Sequence, residues 1–318
     1  MMEIAIIAIS VSTMIIIGPR NPPEVTTVYR NLLNIGLSSP IYSVIVRRIP
    51  ITVLILTKNE EKAIRECIES VKAFAQIIVI DSGSTDRTCL IAEGLRVEIE
   101  KFDWNGRYPK KKQWAMSLKS IKHDWVLFLD ADERPSAKLV EEIRQKIDSD
   151  EARNISAYLI PLEYHFLNKK LRYGHKVKKI SLLKRNDAYF PVIDDLHVTN
   201  MWEVEGHYQP IVSGRVSCLK GQIIHDDPDS LYDYFARHNR YSDWEAELRS
   251  NASMRASVRK ARTRQGRIFE RIPIKPVAFF LYSFLYKLGW RDGKAGFHYA
   301  LALSFYYWQI SLKAMEKR

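Results

Sequence analysis

Short runs of β-branched and aliphatic residues alternate with segments of helical periodicity between positions 51 and 147. Such alternation is typical of βαβ units, in which strands run parallel and helices cover the sheet. The predicted strands are 51–56, 77–80, 97–99 and 125–129, and the predicted helices are 61–74, 88–94, 111–119 and 136–147. The sequence therefore predicts an α/β domain with a doubly wound, mostly parallel sheet flanked by helices.

Polar side chains follow three of these predicted strands at the point where each ends. They are Thr57, Asn59, Asp81, Asp86, Asp130 and Asp132. In open α/β sheets, ligands gather beyond the carboxyl ends of parallel strands. We therefore expect these side chains to share one site at that edge of the sheet.

Asp130 and Asp132 flank Ala131 where a buried strand runs out. Residues two apart in an extended segment point to the same face, so both carboxylates are expected to converge. Two such acids suit a hard cation, Mg²⁺ or Mn²⁺, that also binds phosphate oxygens of a substrate. The alternative is that Asp132 and Glu133 cap the next helix, because Pro135 follows as an early helical residue.

The chain has 318 residues, 46% of them apolar, which is enough for a substantial core in one or two domains. Its net charge of +12 is unusual and indicates an anionic partner. Anionic membrane surface, nucleic acid and phosphorylated substrates are the candidates.

We divide the chain into an N-terminal apolar segment and linker (1–50), a central α/β domain (51–228, with halves 51–135 and 136–228) and a C-terminal helical region (229–318). The apolar run 4–17 is shorter than the roughly 20 residues of a spanning helix. It is interpreted either as a peripheral anchor or as an extension outside the fold. In the second half, the strands predicted at 157–166, 180–183, 188–191 and 216–224 are expected to add to the first sheet in antiparallel fashion.

The C-terminal region combines cations with aromatic and apolar residues. After a helix predicted at 230–248, five arginines share one broad helical face: Arg255, Arg259, Arg262, Arg267 and Arg271. The segments 277–290 and 297–312 are apolar and aromatic, and neither is long enough to predict a transmembrane helix. This pattern predicts a membrane-associating segment that lies on anionic lipid.

Three motifs stand in a fixed order: VLILTKNE at 53–60, IVIDSGSTD at 78–86 and FLDADE at 128–133. In order and spacing they resemble three successive signatures of the family 2 glycosyltransferases, and the similarity covers 51–147. A looser similarity to bacterial enzymes that build lipopolysaccharide core and exopolysaccharide is carried by WEVEGHYQP at 202–210, HDD at 225–227 and RHNRYSDWEA at 237–246. The resemblance implies the GT-A fold, a Rossmann-like domain with a nucleotide-sugar half and an acceptor half.

The resemblance also implies roles for individual residues. The expected nucleotide-sugar site comprises Thr57, Asn59, Glu60, Asp81, Ser82, Asp86, Lys111, Gln113, Asp130 and Ala131. The expected metal ligands are Asp130, Asp132 and His225. Three alternatives stay open: Asp86 as a helix cap, 107–112 as a solvated basic loop, and His225 as a structural residue.

Family 2 enzymes invert the anomeric carbon, so the resemblance implies a carboxylate base from the acceptor half. Glu203 and Glu205 are the candidates, with Asp194 and Asp195 behind them. The alternative is that Glu205 and Gly206 form an ordinary turn. Diphosphate or an anionic acceptor is the expected ligand of Arg237, His238 and Arg240, unless their helix merely packs its aromatic residues with the charges outward.

The resulting hypothesis is a peripheral enzyme on the cytoplasmic face of the bacterial inner membrane. It would transfer a sugar from a nucleotide-sugar donor to a lipid-linked or lipopolysaccharide-core glycan, without nucleic acid as a partner. The alternatives are a nucleotidyltransferase and a basic nucleic-acid-binding protein. The first usually has a glycine-rich basic loop after its first strand, which TKNE at 57–60 is not, and nothing in the chain resembles a base-reading module.

Overall fold

The carboxyl end of a single large sheet positions the polar residues singled out above. The computed structural model describes residues 47–198, 201–206, 208–259, 272 and 274–317. Arg48–Arg318 forms one unit and Met1–Arg47 another. The apolar run 4–17 and most of the predicted arginine face, from Lys260 to Arg271, lie outside the described residues.

The strands are β1 (Ile49–Thr57), β2 (Phe74–Asp81), β3 (Glu98–Lys101), β4 (Trp125–Asp130), β5 (Glu133–Pro135), β6 (Ile155–Phe166), β7 (Lys169–Lys170), β8 (Lys178–Lys184), β9 (Ala188–Tyr189), β10 (Ile211–Val212), β11 (Arg215–Cys218) and β12 (Ile223–His225). The α-helices are α1 (Ile64–Ser70), α2 (Thr88–Gly94), α3 (Lys111–Met116), α4 (Ala137–Ile147), α5 (Asp150–Arg153), α6 (Leu231–Ser250), α7 (Ala252–Arg259), α8 (Lys275–Phe280) and α9 (Gly293–Glu316). A π-helical stretch (Leu281–Tyr286) and a 3₁₀ turn (Gly289–Asp292) connect α8 to α9.

Ten of the described strands form one mixed sheet, with the order β3-β2-β1-β4-β8-β6-β12-β5 and with β7 and β11 also paired to β6. The first four strands run parallel. Beyond β4 the direction changes, because β8 is antiparallel to both β4 and β6. Strand β12 then runs parallel to β6 and antiparallel to β5.

Both faces of the sheet are covered, which explains why β1 is apolar throughout rather than alternating. Ile51, Val53 and Ile55 face one core, which includes buried residues of α1 and α4. Leu54 and Leu56 face the other, which includes Trp244 and Leu248 of α6. Helix α6, in the C-terminal region, therefore contributes part of the core on this face of the sheet.

The helices and strands predicted for the first half are confirmed, with small shifts at their ends. In the second half, the antiparallel additions are confirmed for β6 and β8, but β11 and β12 run parallel to β6. The strand predicted at 216–224 is two strands separated at Gly221. Gly221 packs directly against the backbone of Leu139, where a Cβ atom would overlap it.

The two apolar segments of the C-terminal region form the α8 and α9 pair, and α9 packs on α6. Among the helices that the structure describes, none is both long and apolar enough to cross a membrane. Several large apolar side chains of this region are exposed. They are Leu285 in the π-helical stretch and Leu301, Phe305 and Trp308 on α9.

Candidate active site

The ends of β1, β2 and β4 are aligned at one edge of the sheet. Thr57 pairs with Asp81 in the register of β1 and β2, and Leu56 pairs with Asp130 in that of β1 and β4. The predicted clustering of polar residues at this edge is therefore confirmed as a geometric fact.

Asp81 is buried and fully engaged by neighbouring donors. Its carboxylate accepts hydrogen bonds from the backbone N–H groups of Gly83 and Ser84, both at 2.9 Å. The hydroxyls of Ser84 and Thr57 donate to it at 2.5 and 3.1 Å. Burial acts to raise the pKa of Asp81, but these hydrogen bonds outweigh it and hold the pKa below its ordinary value. Asp81 is therefore a fixed carboxylate whose lone pairs are already used by these four donors.

Asn59 and Asp86 connect the loops that follow β1 and β2. Asn59 adopts a positive φ of 58°, and its side-chain oxygen accepts the backbone N–H of Thr85 at 2.8 Å. Asp86 accepts the N–H of Thr88, in the first turn of α2, at 2.9 Å and that of Glu61 at 3.0 Å. These contacts favour a structural role for Asp86 at the start of α2, as the capping alternative states.

Ser82 directly follows β2, and Glu60 lies three residues after β1. The Ser82 hydroxyl oxygen is buried and lacks a hydrogen-bond partner among the described residues. Burial, followed by the charge of Asp132 and then of Asp229, raises the pKa of Glu60 to about 8. Glu60 is therefore largely protonated at neutral pH.

Lys111 and Gln113 lie on α3 and link it to other parts of the site. Lys111 is buried, and its ammonium donates to the carbonyl oxygen of Thr57 at 2.6 Å. Burial lowers the pKa of Lys111 to about 8, and the charges of Glu203 and Asp81 partly oppose this. The side-chain oxygen of Gln113 accepts the N–H of Phe190 at 2.7 Å. Lys111 is therefore not part of a solvated basic loop.

Asp130 and Asp132 differ in their surroundings. The Asp130 side chain is 45% exposed, and its Oδ2 lies 3.2 Å from the ammonium of Lys179 on β8. The backbone N–H of Asp130 donates to Glu133. The Asp132 side chain is 18% exposed and faces His225, with 3.3 Å between Oδ2 and Nδ1. The intervening Ala131 is buried.

His225 reaches Asp132 because β12 pairs with β5, which places His225 opposite Glu133. Burial acts to lower the pKa of His225, but the Asp132 carboxylate outweighs it and raises the pKa to about 9. The Nδ1 atom is shielded from solvent and has no hydrogen-bond partner of acceptable geometry among the described residues, despite its short distance to Asp132. The His225 ring is therefore protonated at neutral pH in the absence of a metal, and it would have to lose a proton before its nitrogen and the Asp132 carboxylate could serve as a pair of ligands for one divalent cation.

Of the three expected metal ligands, two lie close together and the third is paired with a lysine. Within the described residues, no group of three or more His, Cys, Asp or Glu side chains is arranged to hold a metal ion. Asp132 and His225 are together, whereas Asp130 pairs with Lys179. A cation here would take its remaining ligands from diphosphate oxygens and water, as Mg²⁺ commonly does.

Glu203 and Glu205 have separate environments. Glu205 is buried, and its two carboxylate oxygens accept the backbone N–H groups of Lys112 and Gln113 at 2.7 and 2.9 Å. It therefore caps the start of α3. Glu203 has a partly accessible carboxylate, 3.8 Å from the ammonium of Lys58, which follows β1. Of the two, Glu203 is the one whose carboxylate is not occupied by the backbone.

Asp194 and Asp195 are adjacent in sequence and opposite in exposure. The Asp194 side chain is 72% exposed. Asp195 is buried, pairs with the ammonium of Lys110 at 2.9 Å, and accepts hydrogen bonds from Tyr108 and Trp244, both also at 2.9 Å. This set of contacts joins the loop before α3 to α6.

On α6, Arg237 lies next to the candidate cation site, and its guanidinium contacts Asp227 and Asp229. His238 Nδ1 is 2.8 Å from the carbonyl oxygen of Tyr234. The guanidinium of Arg240 lies 6.0 Å from the ring centre of Tyr241. The charge of Arg237 is thus balanced by two carboxylates in this structure.

Lys179 was not identified by sequence reasoning, although its ammonium lies between Asp130 and Glu133. No local signal marks it, because a pair of lysines near the start of a strand is common. The contacts among Arg237, Asp227 and Asp229 were also missed, and there the run HDDPD at 225–229 was a usable signal.

Comparison with known proteins identifies the family of the chain. Residues 52–202 match the profile of "Glycosyl transferase family 2". A protein of Rickettsia conorii, described as an uncharacterized glycosyltransferase, is 31% identical over 199 residues, covering 62% of this chain and 69% of its own length. The lipopolysaccharide core biosynthesis glycosyltransferase LpsC of Rhizobium meliloti is 25% identical over 283 residues, covering 85% and 93%.

Two further similarities are more limited in extent. An uncharacterized glycosyltransferase of Rickettsia bellii is 41% identical over 113 residues, and this chain spans 37% of its length. A solved structure, glucosyl-3-phosphoglycerate synthase of Mycobacterium tuberculosis with Mn²⁺ and UDP, shares 23% identity over 36% of this chain and 44% of its own, with a TM-score of 0.30. The profile match and the long relatives, together with the strand-end site, show that the chain belongs to the family 2 glycosyltransferases.

Proposed function

We propose that this glycosyltransferase transfers a sugar, with inversion and with a divalent cation, from a nucleotide-sugar donor to a lipid-linked or lipopolysaccharide-core glycan. The observation that carries the proposal is the placement of Asp132 Oδ2 3.3 Å from Nδ1 of His225 at the carboxyl end of β4. The similarity to LpsC, which extends over most of both chains, supports the acceptor class.

In this proposal, the residues after β2 bind the nucleoside of the donor, and the residues after β4 bind its diphosphate. Asp81 would position the nucleoside indirectly, by holding the turn at Gly83 and Ser84. Ser82 would contact the nucleoside once its side chain turns outward, because its buried hydroxyl has no partner among the described residues. Mg²⁺ or Mn²⁺ held by Asp132 and His225 would neutralise charge on the diphosphate as the nucleoside diphosphate leaves.

Glu203 is the proposed general base. Its carboxylate takes the proton from the acceptor hydroxyl, whose oxygen forms a bond to the anomeric carbon as the bond from that carbon to the phosphate oxygen breaks. Attack from the face opposite the leaving group inverts the configuration without a covalent intermediate. Positioning and fixed charges then supply most of the acceleration.

The C-terminal pair of helices is the proposed membrane contact, on the cytoplasmic face of the bacterial inner membrane. Exposed Leu301, Phe305 and Trp308 recur at helical spacing on one face of α9. Exposed cations near the start of α9 are Lys287, Arg291 and Lys294. Apolar and aromatic side chains beside cations are typical of a helix that lies in an anionic interface. This accounts for part of the +12 charge without nucleic acid.

A donor panel tests the proposal. The full chain is incubated with nucleotide sugars and Mn²⁺ or Mg²⁺, nucleoside diphosphate release is measured, and NMR of the product reads the anomeric configuration. We expect Asp132→Asn to abolish release while the circular dichroism spectrum is unchanged. The matched control is Asp124→Asn, an exposed acid at the other end of β4, which should retain activity. Full activity of Asp132→Asn, or activity that survives EDTA, would contradict the metal assignment.

A further inference from the structure

Lys179 is a positive charge that strand pairing places beside the candidate cation site. Leu127 of β4 pairs with Leu182 of β8 in an antiparallel register. The same register, continued along both strands, brings Lys179 level with Asp130, where β4 ends. The ammonium of Lys179 is therefore held at this edge of the sheet by the strands themselves.

The ammonium is shared between two acids that differ in their access to solvent. Its Nζ lies 3.2 Å from Oδ2 of Asp130 and 2.5 Å from Oε2 of Glu133. Glu133 is buried, and the same Oε2 also accepts the backbone N–H of Asp130 at 3.1 Å. The Asp130 side chain is 45% exposed. Of the two acids, Asp130 is therefore the one that can exchange Lys179 for a ligand that arrives from solvent.

Stability alone does not account for a lysine at position 179. An ion pair shielded from water adds little net stability compared with apolar side chains of similar volume, because both charges must leave water. The Lys179 side chain is only 19% exposed, and Leu182 and Leu183 of the same strand are buried in the core. A charge at this position indicates a role that involves the acids it contacts.

A cation bound at Asp130 would meet the charge of Lys179 at short range. The ammonium also acts electrostatically on Asp132, the other acid that follows β4. In a partly buried site this repulsion is screened less than it is on the surface. A nucleoside diphosphate brings negative charge that offsets the repulsion, whereas a cation alone brings none. Lys179 therefore disfavours a cation that arrives without the diphosphate.

We propose that Lys179 competes with the divalent cation for Asp130. Before the donor binds, the ammonium is the partner of Asp130. When a cation binds with the donor diphosphate, Asp130 turns to the cation and Lys179 stays on Glu133. Lys179 is thus a positioning residue that lowers the affinity of the site for a cation alone. The inference rests on the proposed function for the cation, and it adds a residue that regulates how the cation binds.

Binding of Mn²⁺ to the full chain without nucleotide tests the competition, with free Mn²⁺ measured by electron paramagnetic resonance. The informative variant combines Lys179→Met with Glu133→Gln. It removes one positive and one negative charge, so the net charge is unchanged while Asp130 loses its competing partner. We expect Mn²⁺ to bind about tenfold more tightly or better. Unchanged or weaker binding overturns the proposal.

The matched control combines Lys178→Met with Glu141→Gln, the same exchange at two exposed positions. It should bind Mn²⁺ as the unsubstituted protein does, and equal tightening in this control overturns the proposal. Glu133→Gln alone leaves the ammonium to Asp130 and should weaken Mn²⁺ binding by about threefold or more. Tighter binding by Glu133→Gln also overturns the proposal.

Circular dichroism establishes that each variant is folded before binding is measured. If Lys179→Met with Glu133→Gln does not fold, Lys179→Gln takes its place, because its uncharged amide can still donate to Glu133. The expectation is again tighter binding of Mn²⁺, and unchanged binding overturns the proposal.

Asp132→Asn separates this inference from the proposed function. If the competition alone is wrong, Asp132→Asn loses Mn²⁺ binding while the Lys179 variants bind as the unsubstituted protein does. If the cation itself is wrongly proposed, Asp132→Asn and the unsubstituted protein bind Mn²⁺ alike and donor turnover survives EDTA. That second result overturns both proposals.

Discussion

Lys179 and Glu133 form an ion pair beneath the strand-end site, with 2.5 Å between Nζ and Oε2. The same ammonium reaches Asp130 at 3.2 Å, so one cation from β8 serves two acids that follow β4. Glu133 is almost fully buried, and its charge has no access to water that could replace Lys179.

Lys179→Met should therefore destabilise the protein by about 3–5 kcal/mol, because it leaves a buried carboxylate unpaired. Urea unfolding followed by circular dichroism measures this change. Lys178→Met, at the exposed neighbouring position, is the control and should change the free energy of unfolding little. Replacing Glu133 by Gln in the Lys179→Met background should recover part of the loss, and no recovery would contradict the pairing.

Glu203→Gln should lower kcat by about 10²–10⁴-fold, since it removes the proposed base and leaves the nucleotide pocket intact. The donor KM should change little. Steady-state kinetics with saturating acceptor checks both parameters. An unchanged kcat would exclude Glu203 as the base.

Glu205→Ala should lower the stability of the protein, in contrast to Glu203→Gln, which should lower kcat. It removes the acceptor of two backbone N–H groups at the start of α3, and we expect a loss of about 1–3 kcal/mol in the free energy of unfolding. Thermal and urea unfolding measure the loss. If Glu205→Ala unfolds as the unsubstituted protein does but has lost turnover, the roles of the two glutamates are exchanged.

Asp195→Asn and Asp194→Asn form a second pair of neighbours with opposite expectations. Asp195 balances the buried Lys110, so its replacement should cost about 3–5 kcal/mol. Asp194 is exposed, and its replacement should leave stability nearly unchanged. Urea unfolding of both variants under the same conditions measures the two free energies of unfolding. Equal values would contradict a stabilising role for the buried contacts of Asp195.

Asp81→Asn should give a pH-dependent loss of stability. The pKa of Asp81 is lower in the folded protein than its ordinary value of 3.8, so the unfolded chain binds this proton more readily. Its contribution, about 2 kcal/mol, is therefore present at neutral pH and disappears as the pH falls below that value. Unfolding curves of both proteins should converge at low pH. A difference that is constant with pH would mean that the charge of Asp81 is not responsible.

Binding to anionic vesicles should depend on the exposed face of α9. Leu301→Glu combined with Trp308→Glu places two charges there, and retention in a flotation assay should fall about tenfold or more. Leu90→Glu makes a comparable change on exposed α2 and should float as the unsubstituted protein does. Equal flotation of the double variant would remove α9 as the membrane contact.

The first half of the fold was predictable because its signals are local. Strands β1, β2 and β4 are short apolar runs, and Thr57, Asp81 and Asp130 mark their ends directly in the sequence. The order and spacing of the three motifs then indicated the family, and the family implied the fold and the roles of these residues. The register of β1 with β2 and β4 confirmed that Thr57, Asp81 and Asp130 lie at one edge of the sheet.

The contacts that distinguish the candidate roles come from residues far apart in the chain. Glu205 caps a helix that begins more than 90 positions earlier, and Lys179 reaches Asp130 because β8 is inserted beside β4 in antiparallel fashion. His225 meets Asp132 through a strand pair only three residues long. Local periodicity carries no information about such pairings, so the sequence left the base and the third metal ligand open.

Strand β12 is held by a neighbour on each side. His225 lies opposite Tyr164 of β6 and opposite Glu133 of β5. The 3.3 Å approach of His225 to Asp132 therefore depends on both strand pairings. A substitution in β6, more than 20 positions from the motif that ends β4, can consequently disturb the geometry at the end of that motif.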